Sequence, residues 1–191
     1  MSLALNSNTG LHTPTLSDVD EGHGTPPIRQ PGKRERSRRS GAAKPPPRAL
    51  FVDFDGVLHP TTIEADIEAD DIVVGTGLFG WLPALVKALK THPDVAVVVH
   101  STWRYTHDVN ELKLLLGPLG PQLVGATPKG PRYESIQWWL HLNPLFADHR
   151  ILDDDPGEFP VPAPAELILC NPTTGVAAPE VLAALRNWLE K

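Results

Sequence analysis

Residues 49–58 read ALFVDFDGVL, an apolar run rich in strand-forming residues that ends in two carboxylates one residue apart. The Asp-Gly pair at positions 55 and 56 breaks the strand pattern as a turn. We expect a buried strand that delivers Asp53 and Asp55 at its carboxyl end, where ligands bind in open α/β sheets. Taken alone, the stretch also fits a plain Asp-Gly turn after a core strand.

Two later stretches repeat this arrangement of an apolar strand followed by polar residues. VAVVVH at 95–100 runs into STWR at 101–104, and RIL at 150–152 runs into three consecutive aspartates at 153–155. Three parallel strands would therefore aim hydroxyl, guanidinium and carboxylate groups at one edge of a sheet. Three adjacent acids are costly unless a cation or other partners compensate them. A solvated acidic turn is the alternative for that stretch by itself.

Together these motifs resemble the haloacid dehalogenase (HAD) superfamily over roughly residues 49–191. Its first motif is an apolar strand followed by Asp-x-Asp-Gly, a Ser or Thr ends the second strand, and an acidic pair ends a later one. The wording STWR and LDDD, at 101–104 and 152–155, is similar to HAD domains of bacterial multi-domain RNA-repair proteins. The resemblance implies an HAD-like, Rossmann-type fold with a minimal cap and a phosphohydrolase activity.

The resemblance also implies a role for each matching acid and hydroxyl. Asp53 would be the nucleophile that forms an aspartyl-phosphate, and Asp55 the general acid and base. Ser101 would hold a phosphoryl oxygen, although a hydroxyl here is also a common helix cap. Mg²⁺ would be held by Asp53, Asp154 and the backbone carbonyl of Asp55, with Asp153 beside them, while the choice among Asp153, Asp154 and Asp155 stays open. Hard oxygen ligands suit Mg²⁺, and no Cys/His cluster competes for zinc.

The cations of the predicted site leave two questions open. HAD enzymes use a Lys or Arg to offset the charge of the acids and the bound phosphate, and both Lys129 and Arg132 match parts of that pattern, with a preference for Arg132. Thr102 and Arg104 are predicted to contact the substrate, with pairing to an acid as the alternative for Arg104. Trp103 is interpreted as a packing residue.

The chain after residue 49 alternates strand and helix patterns. Beyond the three motif strands we predict helical spacing over 81–89, a helix over 108–116, a short strand over 122–127, a helix that opens near 132, a fifth strand over 166–170 and a closing helix over 177–191. This alternation predicts a three-layer α/β sandwich with a mainly parallel five-stranded sheet and a central first strand. Residues 59–77 are too few for a second domain and are interpreted as a small flap.

Residues 1–48 differ in composition from the rest of the chain. They hold eight of the 17 Lys+Arg residues and four of the 23 Asp+Glu residues, so the basic tail precedes an acidic body. The tail is rich in Ser, Gly, Pro and Arg without apolar periodicity, which predicts disorder. Its basic run at 33–39 is a possible nucleic-acid contact, although such runs are more often solvated linkers.

The sequence has no apolar stretch of the ~20 residues that a membrane span needs. A single cysteine, Cys170, excludes an internal disulfide and fits a reducing compartment. We therefore expect a cytoplasmic protein without a membrane partner. The substrate stays open between phosphorylated nucleic-acid ends and free nucleotides or metabolites. A non-catalytic module tethered to nucleic acid is the third possibility, and the oligomeric state is not predicted.

Overall fold

The computed structural model describes residues 47–61 and 77–191. In these ranges the strands are β1 Arg48–Val52, β2 Val95–Val99, β3 Leu123–Ala126, β4 His149–Asp153 and β5 Leu167–Leu169. The α-helices are α1 Leu82–Leu89, α2 Val109–Leu115, α3 Arg132–Leu142 and α4 Pro179–Leu189. Each predicted strand and helix is present, with ends that differ by one to a few residues.

The five strands form one sheet in the order β3-β2-β1-β4-β5, and every neighbouring pair is parallel. β1 is central because the chain passes from β1 to β2 and β3 on one side of it, and the connection from β3 through α3 then crosses back to place β4 on the other side. The predicted α/β fold with a parallel sheet and a central first strand is therefore confirmed. Since parallel strands all end at the same edge, the polar residues that follow β1, β2 and β4 converge there.

Alternate side chains of β1 pack on opposite faces of the sheet. Leu50 and Val52 join a core that α1, α2 and α4 close. Ala49 and Phe51 join a second core, which includes Ile136 of α3. Helices on both faces make three layers, and both faces of β1 and β2 are dry, which explains why their sequences are continuous apolar runs.

The start of α2, Cys170, the tail and the flap were also predicted from the sequence. Asp108 precedes α2 and forms a capping box with Glu111, which fixes the start of that helix. Cys170 is buried, and burial together with nearby acids raises its pKa to about 12, so its thiol stays protonated. The predicted disordered tail lies outside the described residues except for positions 47 and 48, and so does most of the predicted flap, at 62–76. Over the described ranges, no helix has the length and apolarity to cross a membrane.

Candidate active site

The register of the sheet brings Asp53 next to two other polar residues. Val52 pairs with Val99 of β2 on one side and with Leu152 of β4 on the other. The backbone N–H of Asp53 then donates to the Leu152 carbonyl at 3.0 Å, and the N–H of His100 donates to the Val52 carbonyl at 3.2 Å. Val52, Val99 and Leu152 therefore lie side by side, and so do the residues that follow them at the carboxyl edge of the sheet, Asp53, His100 and Asp153.

Asp53, Asp153, His100 and Arg132 form one buried group, which we call the charge cluster. Arg132, the first residue of α3, donates through Nη1 to Asp53 Oδ2 and to both carboxylate oxygens of Asp153, at 2.8 and 2.9 Å. His100 Nε2 lies 2.8 Å from Asp153 Oδ2. Both acids and His100 are fully buried. Two carboxylates can share this interior only because a guanidinium and an imidazole contact them.

The two acids of the charge cluster differ in proton affinity. Burial raises the pKa of Asp53, and the charge of Asp153 adds to this, whereas His100 and Arg132 oppose it. Burial also works against the charge of Asp153, but hydrogen bonding and charge from His100, together with Arg132, hold its pKa below the usual range. Burial disfavours the charged form of Arg132, yet the two acids outweigh it and raise its pKa. Asp153 is thus the firmly ionised member.

Asp154 completes a set of carboxylates that could hold a cation. One carboxylate oxygen each from Asp53, Asp153 and Asp154 lies within 4.8 Å of the others. Asp154 lies over Gly56, where a Cβ atom would stand 2.1 Å from Asp154 Oδ2 and where φ is +67°. Only glycine admits the carboxylate at this distance. Burial and the charges of Asp53 and Asp153 raise the pKa of Asp154, as expected for neighbouring acids of like charge.

Asp55 has a different setting, which we call the donor clamp and which consists of Asp55, His59 and Trp103. His59 Nε2 lies 3.1 Å from Asp55 Oδ1, and Trp103 Nε1 donates to Asp55 Oδ2 at 3.1 Å. His59 is fully buried, whereas the Asp55 side chain is 34% exposed. The hydrogen bond from His59 lowers the pKa of Asp55; burial opposes it, and the charge of His59 and the bond from Trp103 reinforce it.

Residues 49–181 match the family model for the HAD domain in Swiss Army Knife RNA repair proteins. The chain belongs to this family. No curated protein and no solved structure matches it in the corresponding comparisons. The match spans the sheet from β1 through β5 and contains every residue of the charge cluster and the donor clamp. The recognised resemblance to the HAD superfamily is confirmed, and family membership points to a phosphohydrolase.

The two candidate cations of this HAD domain occupy different places. Arg132 contacts both acids of the charge cluster. Lys129 is exposed, and its Nζ lies 3.4 Å from the backbone carbonyl of Tyr105 and 5.6 Å from the centre of the Tyr105 ring. The structure thus brings only Arg132 of these two to the carboxylates, and Lys129 has no contact to them among the described residues.

Arg104 binds backbone carbonyls, which the sequence did not predict, and its substrate contact stays a prediction. It is 6% exposed, and its guanidinium donates to the backbone carbonyls of His100, Ser101, Pro128 and Gly130. These acceptors tie the end of β2 to the loop that leads into α3. Arg104 therefore holds the segment that carries Arg132 and pairs with none of the described acids.

The remaining predicted residues lie at the ends of β2 and β4. Ser101 is buried, its Oγ accepts from the Trp103 backbone N–H at 3.4 Å, and it is close enough to Asp53 to lower that residue's pKa. Ser101 therefore occupies the capping position and also lies beside Asp53. Thr102 is exposed at the start of the same 3₁₀ turn, and its substrate contact stays a prediction. Asp155 turns away from the other acids and accepts from Gly157 N–H at 2.8 Å.

Sequence reasoning missed three side chains of the site. His100 was counted as the last residue of an apolar run, His59 was given no role, and Trp103 was interpreted as packing. Trp103 does pack against Phe54 and Phe79, but its indole N–H also donates a hydrogen bond to Asp55. The position of His100 could have indicated its role, because His100 directly follows β2 just as Asp53 directly follows β1.

Proposed function

We propose that this chain is a Mg²⁺-dependent phosphomonoesterase that forms an aspartyl-phosphate at Asp53 and acts on phosphorylated nucleic-acid ends. The observation that carries the proposal is the cluster of Asp53, Asp153 and Asp154 beside Arg132, in a chain that belongs to the HAD family. This arrangement supplies a nucleophile, hard ligands for a cation and a guanidinium at one strand edge.

The donor set fits Mg²⁺. Asp53, Asp154 and the backbone carbonyl of Asp55 would hold the ion, with Asp153 adjacent, and all of these ligands are oxygens. The close approach of Asp154 to Gly56 fixes one carboxylate beside the turn that carries that carbonyl. When bound, the ion would offset the negative charge that otherwise keeps an anionic nucleophile away from a phosphate.

In the first half-reaction, an oxygen of Asp53 attacks phosphorus while the bond from phosphorus to the leaving oxygen breaks. Arg132 and Ser101 stabilise charge on the phosphoryl oxygens as they move. Asp55 gives its proton to the leaving oxygen. The donor clamp favours the ionised form of Asp55 in the free protein, and an arriving phosphate dianion raises its pKa, because like charges favour the protonated acid.

In the second half-reaction, Asp55 accepts a proton from water. The resulting hydroxide attacks phosphorus, the bond to the Asp53 oxygen breaks, and inorganic phosphate leaves with the Asp53 carboxylate restored. Here the lowered pKa of Asp55 is an advantage, since its ionised form is the base.

The substrate class rests on two observations. The family description names RNA repair proteins. In addition, the described chain between β2 and α3 holds only two 3₁₀ segments, α2 and β3, so it inserts no lid domain at that point. A site without a large lid has few groups to grip a metabolite but admits the end of a polymer. The acidic body works against a polyanion, and the basic run at 33–39 would offset it locally.

Phosphate release by the full chain tests this proposal. The substrates are a 3′- and a 5′-phosphorylated oligoribonucleotide, the matching mononucleotides and p-nitrophenyl phosphate, each with Mg²⁺ and with excess EDTA. We expect Mg²⁺-dependent release with a higher kcat/KM for an oligonucleotide than for its mononucleotide. A clear preference for the mononucleotide would favour a metabolite phosphatase, and no release from any substrate would overturn the phosphatase assignment.

A further inference from the structure

The two oxygens of Asp55 each have one hydrogen-bond donor, and the two donors come from different segments. His59 belongs to the turn that follows β1 and is linked to Asp55 by an isolated β-bridge. Trp103 belongs to the 3₁₀ turn that follows β2. For the 3.1 Å contact to be a hydrogen bond to a carboxylate, His59 Nε2 must carry the proton. The two contacts therefore fix both the position and the plane of the carboxylate.

Both donors are held by aromatic neighbours. The His59 ring lies edge to face with Phe79, at 5.2 Å between centroids, and with Trp103, at 5.8 Å. The Trp103 ring contacts Phe54 at 5.7 Å and stacks on His107 at 5.2 Å with an interplanar angle of 20°. Since these rings pack against one another, neither donor can swing away from Asp55 without breaking aromatic contacts.

Each carboxylate oxygen has two lone-pair positions. In the donor clamp, one lone pair on each Asp55 oxygen accepts a hydrogen bond. The second lone pair on each oxygen is left for other partners, and the Asp55 side chain is 34% exposed. A fixed plane with free lone pairs is what a proton-transferring carboxylate needs, because a small misplacement of a catalytic group reduces the rate strongly.

We propose that His59 and Trp103 are positioning residues that hold Asp55 in the orientation for proton transfer to and from the substrate. This inference rests on the proposed phosphatase function and adds two residues that act through Asp55. Loss of either donor lets the carboxylate rotate, so the steps in which Asp55 moves a proton slow down. Steps that need no proton are unaffected.

The leaving group separates these two kinds of step. The quantity kcat/KM covers events up to formation of the aspartyl-phosphate, where a ribose hydroxyl leaves poorly without a proton and p-nitrophenolate leaves readily. The Trp103→Phe change keeps an aromatic ring and removes the N–H donor. We expect it to lower kcat/KM for the phosphorylated oligonucleotide by about 10–100-fold and for p-nitrophenyl phosphate by less than about threefold, within the range of acid–base contributions.

Two further changes sharpen the test. His59→Phe should give the same unequal losses, whereas His59→Gln keeps an N–H donor and should recover part of the oligonucleotide activity. Trp139→Phe is the matched control, because it makes the same chemical change in the second core, where Trp139 contacts Phe51. It should leave both kcat/KM values close to those of the unchanged protein.

The outcomes are distinguishable. Equal losses for both substrates in Trp103→Phe and His59→Phe, at unchanged melting temperature, would overturn the positioning role while leaving the phosphatase function intact. If either variant fails to fold, the comparison of His59→Gln with the unchanged protein decides, and equal losses for the two substrates there would also overturn it. Absence of turnover in the unchanged protein would overturn the proposed function and this inference with it.

Discussion

The charge cluster and the donor clamp hold carboxylates one residue apart in different ways. Asp53 is fully buried and lies against Arg132, so ions of opposite sign compensate it. Asp55 is partly exposed and is held by the N–H groups of His59 and Trp103. β1 therefore places both acids, and their neighbours differ: ionic groups compensate the charge of Asp53, whereas N–H donors hold the carboxylate of Asp55.

The largest effect should come from Asp53→Asn. The amide keeps the shape of the side chain but cannot act as the anionic nucleophile, so we expect phosphatase activity to fall by at least about a thousandfold at saturating Mg²⁺. Because its pKa is raised, the ionised form of Asp53 is less favourable in the folded than in the unfolded chain, so its charge opposes folding. The melting temperature should therefore equal or exceed that of the unchanged protein. Unchanged turnover would remove Asp53 from the mechanism.

Arg132→Gln breaks the charge cluster at its cation. We expect kcat/KM to fall by about 10²–10³-fold, because a donor aimed at the transferring group is lost. We also expect unfolding to become easier by about 3 kcal/mol, since buried acids lose their partner.

The double variant Asp53→Asn/Arg132→Gln separates these two effects. With one acid neutral, it should regain part of the stability but none of the activity. Denaturant unfolding of the single and double variants measures this. A double variant less stable than Arg132→Gln would show that charge compensation is not what Arg132 provides.

Asp154→Asn should act on the metal alone. Asp154 belongs to the group of close carboxylates and has no contact to Arg132 among the described residues, so we expect Mg²⁺ affinity to fall by about 10–100-fold, with kcat largely restored at high Mg²⁺. Titration of activity against Mg²⁺ measures it. Asp155→Asn, at the exposed neighbour that bonds Gly157, is the control and should not shift the midpoint.

Arg104→Met should be mainly a stability change. It removes the side-chain donor to the His100 carbonyl and one of the two donors to the Ser101 carbonyl, which costs about 2 kcal/mol. At a temperature where the variant is folded, KM for p-nitrophenyl phosphate should stay close to that of the unchanged protein. A large rise in KM without loss of stability would support the predicted substrate contact of Arg104. Lys129→Ala, at an exposed site, should change stability by less than about 0.5 kcal/mol.

The fold was predictable because the information is local. Apolar runs that end in polar residues mark β1, β2 and β4, and the order of the motifs indicated a parallel sheet. The same information placed Asp53, Asp153 and Asp154 at one edge, since parallel strands end together. Arg132 was one of only two candidate cations.

The remaining site residues depend on register and tertiary contacts, which single-sequence patterns do not reveal. His100 reaches Asp153 because Val52 pairs with both Val99 and Leu152. The sequence does not show whether an arginine will bind carbonyls or acids. The path of the loop before α3 brings Arg104 to backbone carbonyls and Arg132 to the carboxylates.

A covalent step at Asp53 predicts a phosphorylated protein that can be trapped. Asp55→Asn keeps the nucleophile but removes the base, so a phosphoryl group transferred from p-nitrophenyl phosphate should accumulate on the protein. After rapid acid quench and protease digestion, mass spectrometry should find that group on the peptide that contains Asp53, and Asp53→Asn/Asp55→Asn should carry none. A phosphoryl group on another residue, or active turnover of the unchanged protein with no trapped species in Asp55→Asn, would contradict the account.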